Sequence, residues 1–144
     1  MSMSFSVDLR RFRDKVEGRQ GIFLRKLALD IGSSVVLMTP VDTGRARAGW
    51  LAGVNTAPTA IGDMATAQEV IERIRQSVGN AKPGDTIFLV NNVHYITILE
   101  QGRFADSDGI MRGSPQAPSG MVAETLRRFQ HWVDGAASTA RRSL

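Results

Sequence analysis

The chain has 144 residues, of which 42% are hydrophobic and 22% charged, values that are typical of one folded domain and not of a disordered chain. It contains no cysteine, which excludes disulfide bonds, thiolate catalysis and cysteine-ligated zinc or iron–sulfur sites. No apolar run is long enough to span a bilayer and the N-terminus has no signal-peptide core, so we expect neither membrane insertion nor secretion.

The first predicted element is a long helix over residues 6–38, with a break or kink at Gly18 and Gly21. Its second half carries apolar residues at helical spacing, namely Phe23, Leu27, Ile31, Val35 and Met38. Pro40 ends the helix. The net charge is +4, and basic residues gather in the first 26 positions, interleaved with acids. That pattern is typical of a solvated helix face, and it also permits attraction to phosphates.

Residues 45–54 alternate with a period of two, which predicts a half-buried strand. One face carries Ala46, Ala48, Trp50, Ala52 and Val54, and the other carries Arg45, Arg47, Gly49, Leu51 and Gly53. A loop is expected over residues 55–64. Thr66 followed by Glu69 forms a capping box, which predicts a helix over about residues 66–78 with Gly79 at its end.

Residues 82–85 predict a turn, and residues 86–92 a buried strand. A short helix or irregular segment is expected over residues 93–103, followed by a long loop at 104–118 that is a candidate for disorder or for ordering on a partner. The last helix is predicted from about 119 to 135, with a frayed tail and an apolar stripe formed by Met121, Val122, Thr125, Leu126, Phe129 and Val133. Together these elements predict a single α+β domain, residues 1–144 with a core at about 20–134. Long N-terminal and C-terminal helices pack on a small antiparallel sheet, with a short additional helix.

Asp42, Thr43 and Gly44 form the triplet that carries the catalytic carboxylate of aspartic peptidases. A homodimeric peptidase needs two such aspartates sharing a proton, but Arg45 and Arg47 would favour the ionised carboxylate instead. We therefore interpret the triplet as a turn. In a turn, Asp42 can hydrogen-bond its own downstream backbone and Gly44 can take a positive φ.

Other catalytic or metal-binding patterns are weaker. His94 and His131 have no histidine or glutamate at metal-ligand spacing. Residues 106–109 begin like a calcium loop, but Ile110 and Ala117 occupy positions that need oxygen ligands, so a plain turn is predicted. We expect no catalytic residues, no cofactor and no metal, and therefore no enzyme.

The stretch TPVDTGRARAGW, residues 39–50, resembles the signature of the head-to-tail joining proteins of long-tailed bacteriophages, also called neck, tail-completion or minor tail proteins. In that family a long helix precedes the signature. Further on, FLVNNVHYITILEQGR is similar to the strand and tyrosine-containing segment of the family, and GSPQAPSGMVAETLRRFQHWV is similar to its proline-containing loop and last helix. The loop at 104–118 is longer than the resemblance leads us to expect.

The resemblance implies a structural virion protein at the head–tail connector, made in the host cytoplasm. It would form a homo-oligomeric ring, hexameric or dodecameric in the virion and monomeric before assembly, that contacts neighbouring connector and tail proteins and lets DNA pass through. The structural motif would be Pro40, Val41, Asp42, Thr43, Gly44 and Arg45. Candidate interface or channel residues are Arg45, Arg47, Arg10, Arg11, Arg13, Arg103, Phe104 and Arg112. The alternative is a small basic nucleic-acid-binding module.

Overall fold

The computed structural model of the protein describes residues 2–41 and 44–143, with side chains described from residue 11 onward except residue 12. The predicted α+β class is confirmed: the long helix α1 (Ser2–Met38), the C-terminal helix α6 (Phe129–Ser143) and a small antiparallel sheet are present. Among the described residues, no helix combines the length and apolarity that a bilayer span requires.

Helix α1 is continuous through Gly18 and Gly21, so of the predicted break or kink, the break is wrong. A glycine inside a helix costs roughly 1 kcal/mol relative to alanine, which tertiary packing can offset. Helices α6 and α3 (Ala67–Val78) both pack against α1 and provide that packing. Gly21 is itself buried, and a Cβ there would come within 3.0 Å of the Arg25 Nη1 atom.

The predicted strand over residues 45–54 is half correct. Residues Arg45–Ala48 form the helical turn α2, and the strand β1 covers only Trp50–Val54. Alanine and arginine are both strong helix formers, so the alternating pattern was also compatible with a helical turn. Two distant side chains fix that turn: the Asn91 Nδ2 atom donates to the Ala46 carbonyl at 2.8 Å, and the Arg73 Nη2 atom donates to the Ala48 carbonyl at 2.6 Å.

The predictions for the middle of the chain are mostly confirmed. Helix α3 begins after Thr66, whose Oγ1 atom accepts from the Glu69 amide at 3.2 Å while the Glu69 Oε1 atom accepts from the Thr66 amide at 3.0 Å. Strand β2 (Ile87–Asn91) pairs antiparallel with β1, and helix α4 (Ile96–Glu100) follows it. Strand β2 was predicted to be buried but is half-buried along its whole length.

The predicted loop at 104–118 contains a short hairpin of strands β3 (Phe104–Ala105) and β4 (Met111–Arg112). Its turn is built on Asp106, whose Oδ1 atom accepts from the amides of Asp108 and Ile110, each at 2.9 Å. The plain turn predicted for residues 106–109 is therefore confirmed, whereas a loop without regular structure is not.

The C-terminal region departs furthest from its prediction. Two helices are present, α5 (Val122–Arg127) and α6, and α6 continues to Ser143 where a frayed tail was expected. Helix α6 packs along α1 and buries Ala136 and Ala140, because small side chains let two helices approach closely. The predicted apolar stripe is not maintained: Leu126 and Phe129 are each 49% exposed, and the helix is interrupted at Arg128 between α5 and α6.

The hydrophobic core lies beside the C-terminal half of α1. It joins α1, α2, α3 and β1 to the segment that precedes α5 through a set of buried residues: Val35, Val36, Ala48, Trp50, Val70, Ile74, Ala117 and Met121. The signature segment, defined here as residues 40–45, begins two residues after the end of α1, and its described residues are Pro40, Val41, Gly44 and Arg45.

Candidate functional site

The C-terminal end of α1 is fixed by Thr39, which is only 1% exposed. The Thr39 hydroxyl donates to the Val35 carbonyl at 2.5 Å, and the Trp50 Nε1 atom donates to the Thr39 hydroxyl oxygen at 2.8 Å. A buried hydroxyl that both donates and accepts leaves no unsatisfied polar group. The direction in which the chain enters the signature segment is thereby tied to strand β1.

The Arg47 side chain contacts the C-terminal end of α1. Its Nη2 atom donates to the carbonyls of Leu37 at 3.1 Å and Thr39 at 3.2 Å. The last carbonyls of a helix have no partner within the helix, so the guanidinium satisfies them and stabilises the turn. We predicted Arg47 as an interface or channel residue on a strand, but it lies on helix α2 and these two contacts are internal.

Gly44 adopts φ +81°, which confirms the predicted positive φ at the end of the turn. Asp42 and Thr43 lie outside the described residues, and so does the hydrogen bond predicted for Asp42. Arg45 begins helix α2 and is half-buried, instead of lying on the face of a strand as predicted.

A half-open groove of about 740 Å³ lies beside the signature segment. One wall is formed by Pro40, Gly44, Arg45 and Ala46, and the second is formed by Tyr95 and Leu99 from the α4 region. The third wall is residues 113–116, which follow the hairpin. The three stretches on which the resemblance rests, far apart in sequence, therefore meet at one groove.

Hydrogen bonds connect the walls of the groove to one another. The Val41 amide donates to the Gln116 Oε1 atom at 2.9 Å and links the first wall to the third. The Arg103 amide donates to the Pro118 carbonyl at 3.0 Å, and the Arg103 Nη1 atom donates to the Gly113 carbonyl at 3.3 Å. These bonds position residues 113–116 relative to the end of α4.

Glu100 is a structural residue that no pattern in the sequence indicates. Its carboxylate accepts from the amides of Met121 and Val122, each at 2.9 Å, and from the Ala123 amide at 2.8 Å. Amides at the start of a helix lack internal partners, and a carboxylate there also interacts favourably with the helix dipole. Glu100 therefore caps α5 from a different segment of the chain, a role that spacing along the sequence does not reveal.

Two glycines let the second and third walls approach each other. Gly102 has φ +80° and Gly120 has φ +82°. A Cβ on Gly102 would overlap the Pro118 carbonyl oxygen, and one on Gly120 would overlap the Glu100 carbonyl oxygen. Both positions therefore need glycine for its conformation and for its lack of a side chain.

The remaining predicted residues are distributed over the molecule. Arg45 lines the groove and Arg103 is exposed at its edge, whereas Phe104 is half-buried in β3. Arg112 forms an ion pair with Asp106 at 2.9 Å. Arg11 and Arg13 are exposed on α1, roughly 40 Å from the groove along the helix axis, and the side chain of Arg10 is outside the described set.

The electrostatics of the hairpin depend on Asp106. A hydrogen bond from the Ile110 amide, followed in importance by those from Arg112 and the Asp108 amide, lowers the pKa of Asp106 below its ordinary value of 3.8. The carboxylate therefore stays ionised at neutral pH and holds the turn that precedes the third wall of the groove.

The described residues that line the groove include no carboxylate and no imidazole. They offer apolar surface, peptide groups, the side chains of Tyr95, Ser114 and Gln116, and the Arg45 guanidinium, which are groups suited to binding. Within the described part of the chain, no three histidine, aspartate or glutamate side chains lie close enough together to hold a metal ion. No protein-family model, no curated protein and no solved structure matches the chain.

Proposed function

We propose that the protein is a structural component of the head–tail connector of a long-tailed bacteriophage, assembled as a homo-oligomeric ring that joins the tail to the head. The proposal starts from the resemblance of residues 39–50 and of the two later stretches to that family. The observation that supports it most is spatial: Pro40, Tyr95 and Pro115, one from each of the three stretches, line a single groove. Residues that carry a shared function are expected to meet in space even when they are far apart in sequence.

The contacts around the groove fit a role in assembly. The walls are joined by hydrogen bonds such as the one from the Val41 amide to Gln116, so little order has to be gained when a partner binds. Weak contacts between subunits become durable when several subunits close into a symmetric ring. In the proposed assembly the protein has no catalytic role, and any contact with passing DNA is transient and independent of sequence.

The test is a nonsense mutation of this gene in the phage genome that carries it, with electron microscopy of the lysate. We expect filled heads and tails that fail to join, and infectivity restored by the wild-type gene supplied from a plasmid. Infectious particles of normal appearance in the absence of the protein would refute the proposal.

A second candidate function is a small nucleic-acid-binding module, favoured by the exposed basic side chains of Arg11, Arg13 and Lys15 on α1. Phosphate contacts make affinity fall steeply with salt. Titration of duplex DNA at low and at moderate salt tests this candidate: a tight complex that weakens steeply with salt, and that is lost when the three residues are changed to glutamine, would support it. The connector proposal instead expects weak binding at both salt concentrations.

A further inference from the structure

The sheet of β1 and β2 has two strands, so each strand has an outer edge with no strand beside it. The Asn55 amide donates to the Thr86 carbonyl at 2.7 Å, and in an antiparallel pair such bonded positions alternate with non-bonded ones. The peptide groups of Ile87, Leu89 and Asn91 therefore point away from β1, and we call them the open edge. Within the described part of the chain, no backbone hydrogen bond joins the open edge to a third segment.

The outer edge of β1 is partly occupied. By the same alternation Trp50 points its peptide groups outward, and its carbonyl accepts from the Arg73 Nη2 atom at 3.4 Å. That atom also donates to the Ala48 carbonyl, two residues earlier, at 2.6 Å. An incoming strand would have to displace this guanidinium, so β1 has the less accessible edge of the two.

Strand β2 lacks the features that keep an edge strand unpaired. Its sequence is IFLVN, with no charged residue and no proline. Natural edge strands commonly carry lysine or proline, or are very short, because an exposed row of peptide groups pairs with another chain. The hairpin strands fit that description, since each has two residues and β4 includes Arg112. Strand β2 is therefore the described strand best suited to pair with another chain.

Strand β2 is complementary to a second copy of itself. Antiparallel pairing about Leu89 sets Leu89 opposite its own copy and Ile87 opposite Asn91, so the outward peptide groups of both strands are all used, in about six hydrogen bonds. Phe88 then falls opposite Val90, which brings apolar side chains together across the contact. No like charges meet, because β2 has no charged residue. The two small sheets become one sheet of four strands, a size typical of stable sheets.

We propose that β2 pairs antiparallel with β2 of a second copy across a two-fold axis at Leu89. A second copy is favoured over a different protein because it necessarily presents an uncharged strand with the same open edge in the same register. The contact is isologous and closes on itself, whereas a ring needs a second, head-to-tail surface. The inference therefore goes beyond the head–tail role and does not depend on it.

The first test is hydrogen exchange of the full chain, labelled with nitrogen-15, at several protein concentrations. The amides of Ile87 and Leu89 should exchange about tenfold more slowly when the concentration rises roughly a hundredfold, since the free fraction of a dimerising chain falls with the square root of concentration. The Ala52 amide, which points outward on β1, is the internal control and should keep its rate. Light scattering at the same concentrations should approach the mass of a dimer.

A charge on the open strand should break the pair. The Leu89 Cδ2 atom would lie 3.3 Å from a Cβ at Gly32 of α1, so Leu89 faces α1 and Val90 faces the opposite side of the sheet. Val90→Lys would bring two lysines together near the two-fold axis, and it should give a monomer at concentrations at which the wild type is dimeric. Leu51→Lys is the matched control and should remain dimeric, because Leu51 is the β1 partner of Val90 and is also half-buried.

A distance measurement locates the axis. The chain has no cysteine, so Thr86→Cys, at an exposed position, carries a single nitroxide label. In the paired dimer, electron–electron resonance should give about 20–30 Å between the two labels, because about six residues at about 3.4 Å each separate them along the strands.

A chain that stays monomeric at every concentration would overturn the proposal, and so would a dimer in which exchange at Ile87 and Leu89 does not depend on concentration. A dimer of Val90→Lys, or a label distance outside this range, would place the contact elsewhere and overturn it as well. If Val90→Lys does not fold, the exchange and distance measurements decide. None of these results bears on the microscopy of the mutant lysate, so the two proposals fail separately.

Discussion

The two ends of helix α1 differ sharply although they belong to one continuous helix. At the C-terminal end, Thr39 is buried and receives hydrogen bonds through Trp50 and Arg47 from segments that follow in the sequence. Toward the N-terminal end, Arg11 and residues 13–17 are all exposed. Helical geometry alone therefore does not decide how strongly a residue is held, because most helix stability comes from tertiary packing. The comparison predicts large mutational effects at the groove end and small effects at the other.

The largest effect is expected where backbones touch near the groove. Gly113 and Gly109 have nearly the same φ, +77° and +78°, but a Cβ on Gly113 would overlap the Gly102 carbonyl oxygen, whereas nothing lies within 4 Å of one on Gly109. Gly109→Ala should cost about 1–2 kcal/mol for the left-handed conformation alone. Gly113→Ala should cost more, about 3 kcal/mol or above, in urea unfolding. Equal costs would mean that the groove end is not tightly packed.

The next effect compares the same substitution at two places on α1. Val36 is fully buried, and Val16 is 36% exposed. Val36→Ala should lower the free energy of unfolding by about 2 kcal/mol, from lost burial plus a cavity. Val16→Ala should change it by less than about 0.5 kcal/mol, since alanine is also the better helix former. Thermal or urea unfolding of both variants measures the difference, and similar losses would erase the contrast between the two ends of the helix.

A smaller effect is expected at the carboxylate that caps α5. Glu100→Gln keeps the shape of the side chain but removes the charge that accepts hydrogen bonds from Met121, Val122 and Ala123, and it should cost about 1 kcal/mol. Glu72→Gln breaks an exposed pair with Arg75 and should cost less than about 0.5 kcal/mol. If urea unfolding gives the same loss for both variants, the cap contributes no more than an exposed ion pair.

The smallest effect is local and depends on pH. The pKa of Asp106 is lowered in the folded state, so the stabilisation from this carboxylate is fully present above its unfolded value of 3.8 and is lost as the pH falls through the folded-state pKa. Asp106→Asn should reduce amide protection in the hairpin at neutral pH, and the difference from the wild type should close in strong acid. Hydrogen exchange of the Ile110 amide measures this effect. Asp108→Asn, at an exposed position of the same turn, is the control, and it should leave the protection of that amide unchanged.

The features that the sequence predicts correctly depend on interactions between residues close in the chain. The capping box of Thr66 and Glu69 joins positions three apart, and the positive φ of Gly44 reflects a preference of the residue itself. The turn at residues 106–109 is likewise closed by Asp106 on amides two and four residues further along. Such contacts need no distant partner, so the local sequence is sufficient to predict them.

The features that sequence did not predict depend on distant partners. The helical turn Arg45–Ala48 is fixed by Asn91 and Arg73, and helix α6 extends to Ser143 because Ala136 and Ala140 pack on α1. The capping of α5 by Glu100 and the meeting of Pro40, Tyr95 and Pro115 at one groove likewise require the fold to be complete. By itself, the sequence determined the α+β class, the local turns and the capped helix α3. The tertiary structure decided which side chains surround the groove, because long-range contacts select among backbone conformations that local preferences leave nearly equal in energy.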